Sequence, residues 1–303
     1  MHRYLLFIIR VMKNLKYLFI LFLLAATTPG FAQNDIKVIN LTTAGKLAAE
    51  IGSNDKLLKI QQLKISGPIN GDDIITIRRI TALTYLDLKD AKIVSGGRMY
   101  DSDYTGVNRT ENDTIGTYMF CATRSLVTIY LPPTIRYIGK NAFEGCTSLT
   151  SIVIPEGVTG IDDYAFSKCS GLSAITFPST LNRIGENAFL KCALLTDIKI
   201  PDNVSSIGES AFEDCVAMKN VSLPSMLKEL GTHAFKGCEN LLSIYCYNKE
   251  PLTIDTDDNS ELPFDSEDPS NTYEKATLYV PVNTKAAYSA VSPWKQFKNI
   301  KEM

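Results

Sequence analysis

Residue types that do chemistry are scarce in this chain of 303 residues, and those present stand at spacings that suit packing. His2 lies in an N-terminal apolar leader, which leaves His233 as the one histidine for acid–base work. His233 occupies a repeat position shared with Asn141, Asn187 and Ser210 and reads as a solvated coil residue. The sequence holds no His-Glu-x-x-His, no Gly-x-Ser-x-Gly and no glycine-rich phosphate loop. Five of the seven cysteines (Cys146, Cys169, Cys192, Cys215 and Cys238) recur every 23 residues, without the close pairs that zinc sites use. Stacked at ~4.8 Å per layer, they would form a column of parallel side chains, which does not readily give a disulfide dihedral. They are expected as free core thiols, small hydrophobes in effect, and Cys246 joins them in the phase of Ile200 and Leu223.

Carboxylates give no sharper signal. Asp255, Asp257 and Asn259 echo the first three ligand positions of an EF-hand loop. Ser260 stands where glycine is needed and Ser266 where the bidentate glutamate would be. This is a weak calcium candidate, and a solvated acidic loop is the better reading. No carboxylate pair stands out for glycosidase work. The expectation is a non-catalytic protein without cofactors.

What remains is surface. Alternation along short strands leaves Tyr130, Val153, Thr176, Lys199, Ser222 and Tyr245 in one outward column, and Ser151, Ala174, Asp197, Asn220 and Ser243 in the next. Tyr245 and Tyr247 are the best single anchors for a partner. The candidate binding set is therefore Tyr130, Val153, Thr176, Asp197, Lys199, Asn220, Ser222, Tyr245 and Tyr247.

The elements that hold these residues follow from a 23-residue ladder. Ile115, Ile138, Ile161, Ile184, Ile207 and Leu230 keep that step, and a phenylalanine follows each by five residues: Phe120, Phe143, Phe166, Phe189, Phe212 and Phe235. A period of this length means stacked supersecondary units that bury their apolar faces against one another. Within one unit, Leu195, Ile198 and Ile200 followed by Pro201 read as a short strand ended by proline. Val204 turns the chain inward, and Gly185 fits a tight turn at the coil start.

The unit Cys-x-x-Leu-x-x-Ile-x-Ile-Pro-x-x-Val-x-x-Ile-Gly-x-x-Ala-Phe resembles the BspA-like leucine-rich repeats of bacterial surface proteins over 115–250. The resemblance implies an α/β-type repeat solenoid: a right-handed coil stack with one parallel sheet, capped at both ends. Two departures stand out. Thr123 takes the cysteine phase of the first unit with Cys121 displaced by two, the most exposed thiol on this reading, and Asp162 replaces the repeat glycine as a turn variant.

The flanks read as an export signal over 1–32 (its start at Met12 if the first codon lies upstream of the true one), an N-terminal cap with atypical coils over 33–114, and an acidic loop and C-terminal cap over 251–303. A helix is expected around Leu41–Ile51, an inserted loop over Lys89–Asp113, and Trp294 and Phe297 on one helical face over the last coil. Removing Arg3, Arg10, Lys13 and Lys16 with the leader leaves 27 basic against 33 acidic residues, which argues against nucleic acid or an anionic membrane as partner. No second apolar stretch is long enough to span a bilayer. The function expected is a monomeric, exported interaction protein at the cell surface, in the periplasm or secreted. It would bind an extracellular protein or glycan in the adhesin-like way the resemblance implies, a host matrix protein among the candidates. The alternative is an accessory envelope protein holding a glycan or outer-membrane partner.

Overall fold

The computed structural model describes residues 36–101, 108–254, 262–265 and 272–303. The export signal and the calcium candidates Asp255, Asp257 and Asn259 lie outside the described residues.

The chain opens with β1 (Lys37–Asn40), two short helices α1 (Leu47–Ile51) and α2 (Asn54–Leu57), β2 (Gln62–Ile69), helix α3 (Gly71–Arg78) and β3 (Tyr85–Ile93). The expected helix is confined to its last turn and a half, because Leu41 is still hydrogen-bonded to Ser66 at the end of the β1–β2 ladder. Buried Asp73 ties this region together: its carboxylate accepts from the backbone N–H of Gly45, Leu47 and Asn70 at 2.6, 2.9 and 2.9 Å. The expected loop over Lys89–Asp113 is instead the tail of β3 and then a hairpin, β4 (Gly96–Asp101) with β5 (Asn108–Thr110). Arg78 of α3 bonds Asp101 of that hairpin at 3.3 Å. Gly71 and Gly97 allow the contact, since a Cβ on Gly71 would sit 2.0 Å from the Arg98 carbonyl oxygen.

The repeats then alternate two kinds of strand. They run β6 (Thr114–Ile115), β7 (Thr128–Tyr130), β8 (Tyr137–Ile138), β9 (Ser151–Val153), β10 (Gly160–Ile161) and β11 (Ala174–Thr176). They continue as β12 (Arg183–Ile184), β13 (Asp197–Lys199), β14 (Ser206–Ile207), β15 (Asn220–Leu223), β16 (Glu229–Leu230) and β17 (Ser243–Cys246). Each strand pairs in parallel with a counterpart one coil away, but in place of the single sheet expected there are two ladders, and the first is split between β11 and β13 into two sheets. The second ladder is β6-β8-β10-β12-β14-β16, two residues wide, because the apolar station at its end must turn straight into the Ala-Phe corner.

At that corner each phenylalanine N–H donates to the alanine carbonyl one coil on, at 2.7–2.8 Å from Phe120 to Phe212. The rings stack with centroids 5.0–5.4 Å apart. Each repeat cysteine is buried and donates its Sγ–H to the phenylalanine carbonyl of the preceding coil, from Cys146 to Phe120 at 3.1 Å through Cys238 to Phe212 at 3.3 Å. A thiol is the small apolar group that still offers a weak donor there. Gly185, Gly208 and Gly231 are explained by close approach and not by a left-handed turn: a Cβ on each would lie 2.4–2.6 Å from the backbone of the previous coil. The left-handed positions are elsewhere. Tyr118, Asn141, Tyr164, Asn187, Ser210 and His233 all have φ of 53–58°. His233 is therefore half-buried in a turn the coil geometry imposes, a correction to its reading as a solvated residue.

Beyond β17 the stack continues. Phe264 carries the phenylalanine column onward, 5.3 Å from Phe235, and the Phe235 N–H donates to the Pro263 carbonyl as its predecessors do to alanine. Helix α4 (Thr272–Lys275), β18 (Thr277–Val280), α5 (Lys285–Tyr288), a 3-10 turn (Trp294–Gln296) and β19 (Asn299–Glu302) follow. Two strands thus close the sheet, where one was expected. Trp294 and Phe297 are both buried against Phe264, at 6.0 and 5.5 Å between ring centroids, covering the end of the column.

Candidate binding surface

The outward positions of the sheet align in register. Lys64, Asp87 and Tyr130 are partners across β2, β3 and β7; Val153 and Thr176 pair across β9 and β11. Lys199, Ser222, Tyr245, Tyr279 and Lys301 form the same column across β13, β15, β17, β18 and β19. The neighbouring column aligns Asp197, Asn220, Ser243, Thr277 and Asn299.

Each end of this face carries aromatic side chains. At the N-terminal end Tyr85 and Tyr130 meet edge to face at 5.7 Å, and the Lys89 ammonium sits 3.7 Å from the Tyr130 ring centre. Such a cation held over a tyrosine contributes ~0.5–1 kcal/mol when exposed. Lys64 reaches Asp90 at 2.7 Å and Asp87 at 3.8 Å. Its hydrogen bond to Asp90 raises the lysine pKa, while burial followed by the Asp87 charge raises that of Tyr85. At the C-terminal end Tyr245 and Tyr279 stack at 4.7 Å, and Tyr247 is exposed in the position where other coils carry the strand-ending proline. Between the ends the side chains are smaller or polar. Val153 is 62% exposed, and Asn220 donates to Asp197 at 2.6 Å.

The face is interrupted once. β11 and β13 belong to separate sheets, although the second ladder runs on between β10, β12 and β14. Phe177 stands where other coils place Ile154, Ile200 and Leu223, and its larger ring lies edge-on to Phe189 at 5.8 Å and stays half-exposed. A cleft of about 570 Å³ opens there, lined by Phe177, Lys199, Glu156, Ser179 and Asp202 among others.

The nine residues singled out from the sequence thus share one face, the tyrosines at its ends and Thr176, Asp197 and Lys199 at its seam. Sequence reasoning missed Tyr85, Lys89, Phe177 and Tyr279. The signal for Tyr279 was present, since Leu278-Tyr279-Val280-Pro281 repeats the strand-then-proline pattern. Cys121 is half-buried, and burial followed by the Glu144 charge pushes its thiol up to about 11, so it is protonated at neutral pH. Among the described residues no group of three or more His, Cys, Asp or Glu is placed to hold a metal ion, and no helix is long and apolar enough to cross a membrane.

A family model described as a BspA type leucine rich repeat region matches residues 113–242 in six copies. A solved leucine-rich repeat protein of T. pallidum is 41% identical over 42% of this chain, which spans 60% of that chain, with a TM-score of 0.42. One from Bacteroides ovatus is 21% identical, with 88% of this chain and 69% of that chain covered and a TM-score of 0.52. The pneumococcal vaccine antigen PcpA is 15% identical, with 90% and 60% covered and a TM-score of 0.51. The last two share the fold. Comparison with curated proteins finds no match.

Proposed function

We propose, from the match of residues 113–242 to BspA-type leucine-rich repeats, that the protein is an exported surface interaction protein, non-catalytic and adhesin-like, which binds a protein or glycan partner through the outer face of its sheet. The observation that carries this reading is the pair of half-exposed aromatic clusters, Tyr85–Tyr130 and Tyr245–Tyr279, one on each side of the seam between β11 and β13 on the outer face. Tyr130 and Tyr245 are five strand spacings apart, about 24 Å at ~4.8 Å each. Aromatic anchors ringed by small polar side chains are the composition that carries contact energy in protein interfaces. The short Ser, Thr and Asn side chains between them would leave room for a partner to lie flat.

The test is capture of extracellular-matrix proteins and glycans by the full chain, quantified by surface plasmon resonance. Tyr245→Ala and Tyr130→Ala should each weaken binding by about tenfold, since loss of an anchor costs more than ~1 kcal/mol. Lys199→Ala should weaken it less and reduce its salt dependence. Binding indifferent to all three substitutions would remove this face from consideration.

A further inference from the structure

A second, smaller site lies away from the sheet face, where the β4–β5 hairpin meets the second ladder at β6 and β8. A pocket of about 150 Å³ is lined there by Asn108, Arg109, Glu111, Tyr137 and Asp162, with Tyr100 at its wall. Three observations converge on it. Asn108 is 8% exposed, and its Nδ2 is buried without a hydrogen-bond partner, a donor taken out of water and left unsatisfied. Asp162 is the residue that departs from the repeat glycine: Gly139, Gly185, Gly208 and Gly231 hold that phase in the other coils. Tyr137 occupies a phase that is Thr114, Gly160, Arg183, Ser206 and Glu229 elsewhere. The repeat is thus altered at adjacent positions directly beneath the inserted hairpin.

The lining dictates the ligand. Asn108 Nδ2 can only donate, so the ligand must bring an acceptor; the Glu111 and Asp162 carboxylates only accept, so it must also bring donors. A hydroxyl does both from one atom. Asp162 Oδ1 already accepts from the Asp163 N–H at 2.9 Å, the Tyr137 hydroxyl is hydrogen-bonded to the Asp162 carboxylate, and the Tyr100 hydroxyl already donates to the Thr117 carbonyl at 2.9 Å, so Asp162 offers a ligand only its remaining lone pairs. The Tyr137 ring is half-buried and gives a flat apolar wall. One arginine against two carboxylates disfavours an anion. The volume is below the ~300–1,000 Å³ of a drug-sized site and suits a single ring. We infer that this pocket binds one neutral sugar unit, the terminal residue of a glycan, through Asn108, Glu111 and Asp162 with Tyr137 against the sugar's C–H face.

The probes are the methyl glycosides of glucose, galactose and mannose, titrated into the full chain at millimolar concentration and read by saturation-transfer NMR. At least one should bind saturably. Asp162→Gly and Tyr137→Thr install residues that an adjacent coil already carries at the same phase, Gly139 and Thr114, so both variants should stay folded while losing about tenfold in affinity, the equivalent of one lost hydrogen bond or stacking contact. Tyr245→Ala should leave the affinity unchanged, which separates this site from the sheet face. No saturable binding of any of the three, affinity untouched by Asp162→Gly, or binding lost in Tyr245→Ala would each overturn the assignment, and tighter binding of methyl glucuronide would overturn its neutrality.

Discussion

Two residue classes in the coil carry information that hydrophobicity conceals. The cysteines look interchangeable with alanine or valine, yet each hands its Sγ–H to a phenylalanine carbonyl, and burial raises the thiol pKa of Cys192, Cys215, Cys238 and Cys246 far above the ordinary value. Half-buried Cys121 is the mild case, at about 11 against a reference of 9.0. A folded-state pKa raised in this way means the native protein holds the proton that the unfolded chain releases. The stability is whole below pH 9 and falls as pH rises from 9 through 11. In urea titrations over that range, Cys121→Ser should flatten the decline relative to wild type; identical slopes would show that Cys121 does not carry it. The second class is the left-handed residues. Lys191 has φ of 60° in the phase filled by Gly145 and Gly237. Lys191→Gly should raise unfolding stability by about 0.5–1 kcal/mol, the left-handed cost of ~1–2 kcal/mol less the entropy glycine loses on folding. A lower melting temperature would contradict this.

At the scale of the element, the corner between the second ladder and the phenylalanine column sets the tightest tolerance. Gly208 has ordinary backbone angles, but a Cβ there would lie 2.6 Å from the Glu186 nitrogen and the Gly185 carbonyl carbon. Gly208→Ala should therefore destabilise by more than the ~0.5–1 kcal/mol by which alanine is otherwise favoured over glycine, and ~2 kcal/mol is expected from forced backbone shifts; a neutral effect in thermal melts would mean the coils can part locally. The strand and corner stations were legible in the sequence because their period survives six coils without an insertion. The two-ladder arrangement was less so, since two-residue strands leave no alternation to read. His233 reads as solvated from the polar residues that share its phase, Asn141, Asn187 and Ser210, although asparagine there also marks a left-handed turn. The outer face was half legible. Period-two alternation placed Tyr130 and Tyr245, but Tyr85 and Tyr279, whose rings meet theirs, lie 45 and 34 residues away, beyond insertions that break the count.

On the scale of the whole molecule, those insertions mark where the solenoid stops being uniform. A stack of this kind holds together through contacts between successive coils, so damage spreads to neighbours and fades beyond them. Phe264 follows Phe235 by 29 residues instead of 23, and yet it stacks on that ring at 5.3 Å while Trp294, Phe297 and Tyr273 close around its other side. It is the joint between the regular column and the closing segment. Phe264→Ala should remove ~3–5 kcal/mol locally, and native-state hydrogen exchange will show where. Protection should fall first at the amides of Phe235 and Gly237, which bond Pro263 and Asp265, and then along β17, β18 and β19. Phe143 and Phe166, three or more coils away, should exchange as in wild type. Phe189→Ala, in the middle of the column, should instead lower protection on both sides of the cut. Uniform loss across all coils after Phe264→Ala would mean that the stack unfolds as a single unit and that the end segment does not act through its nearest coil.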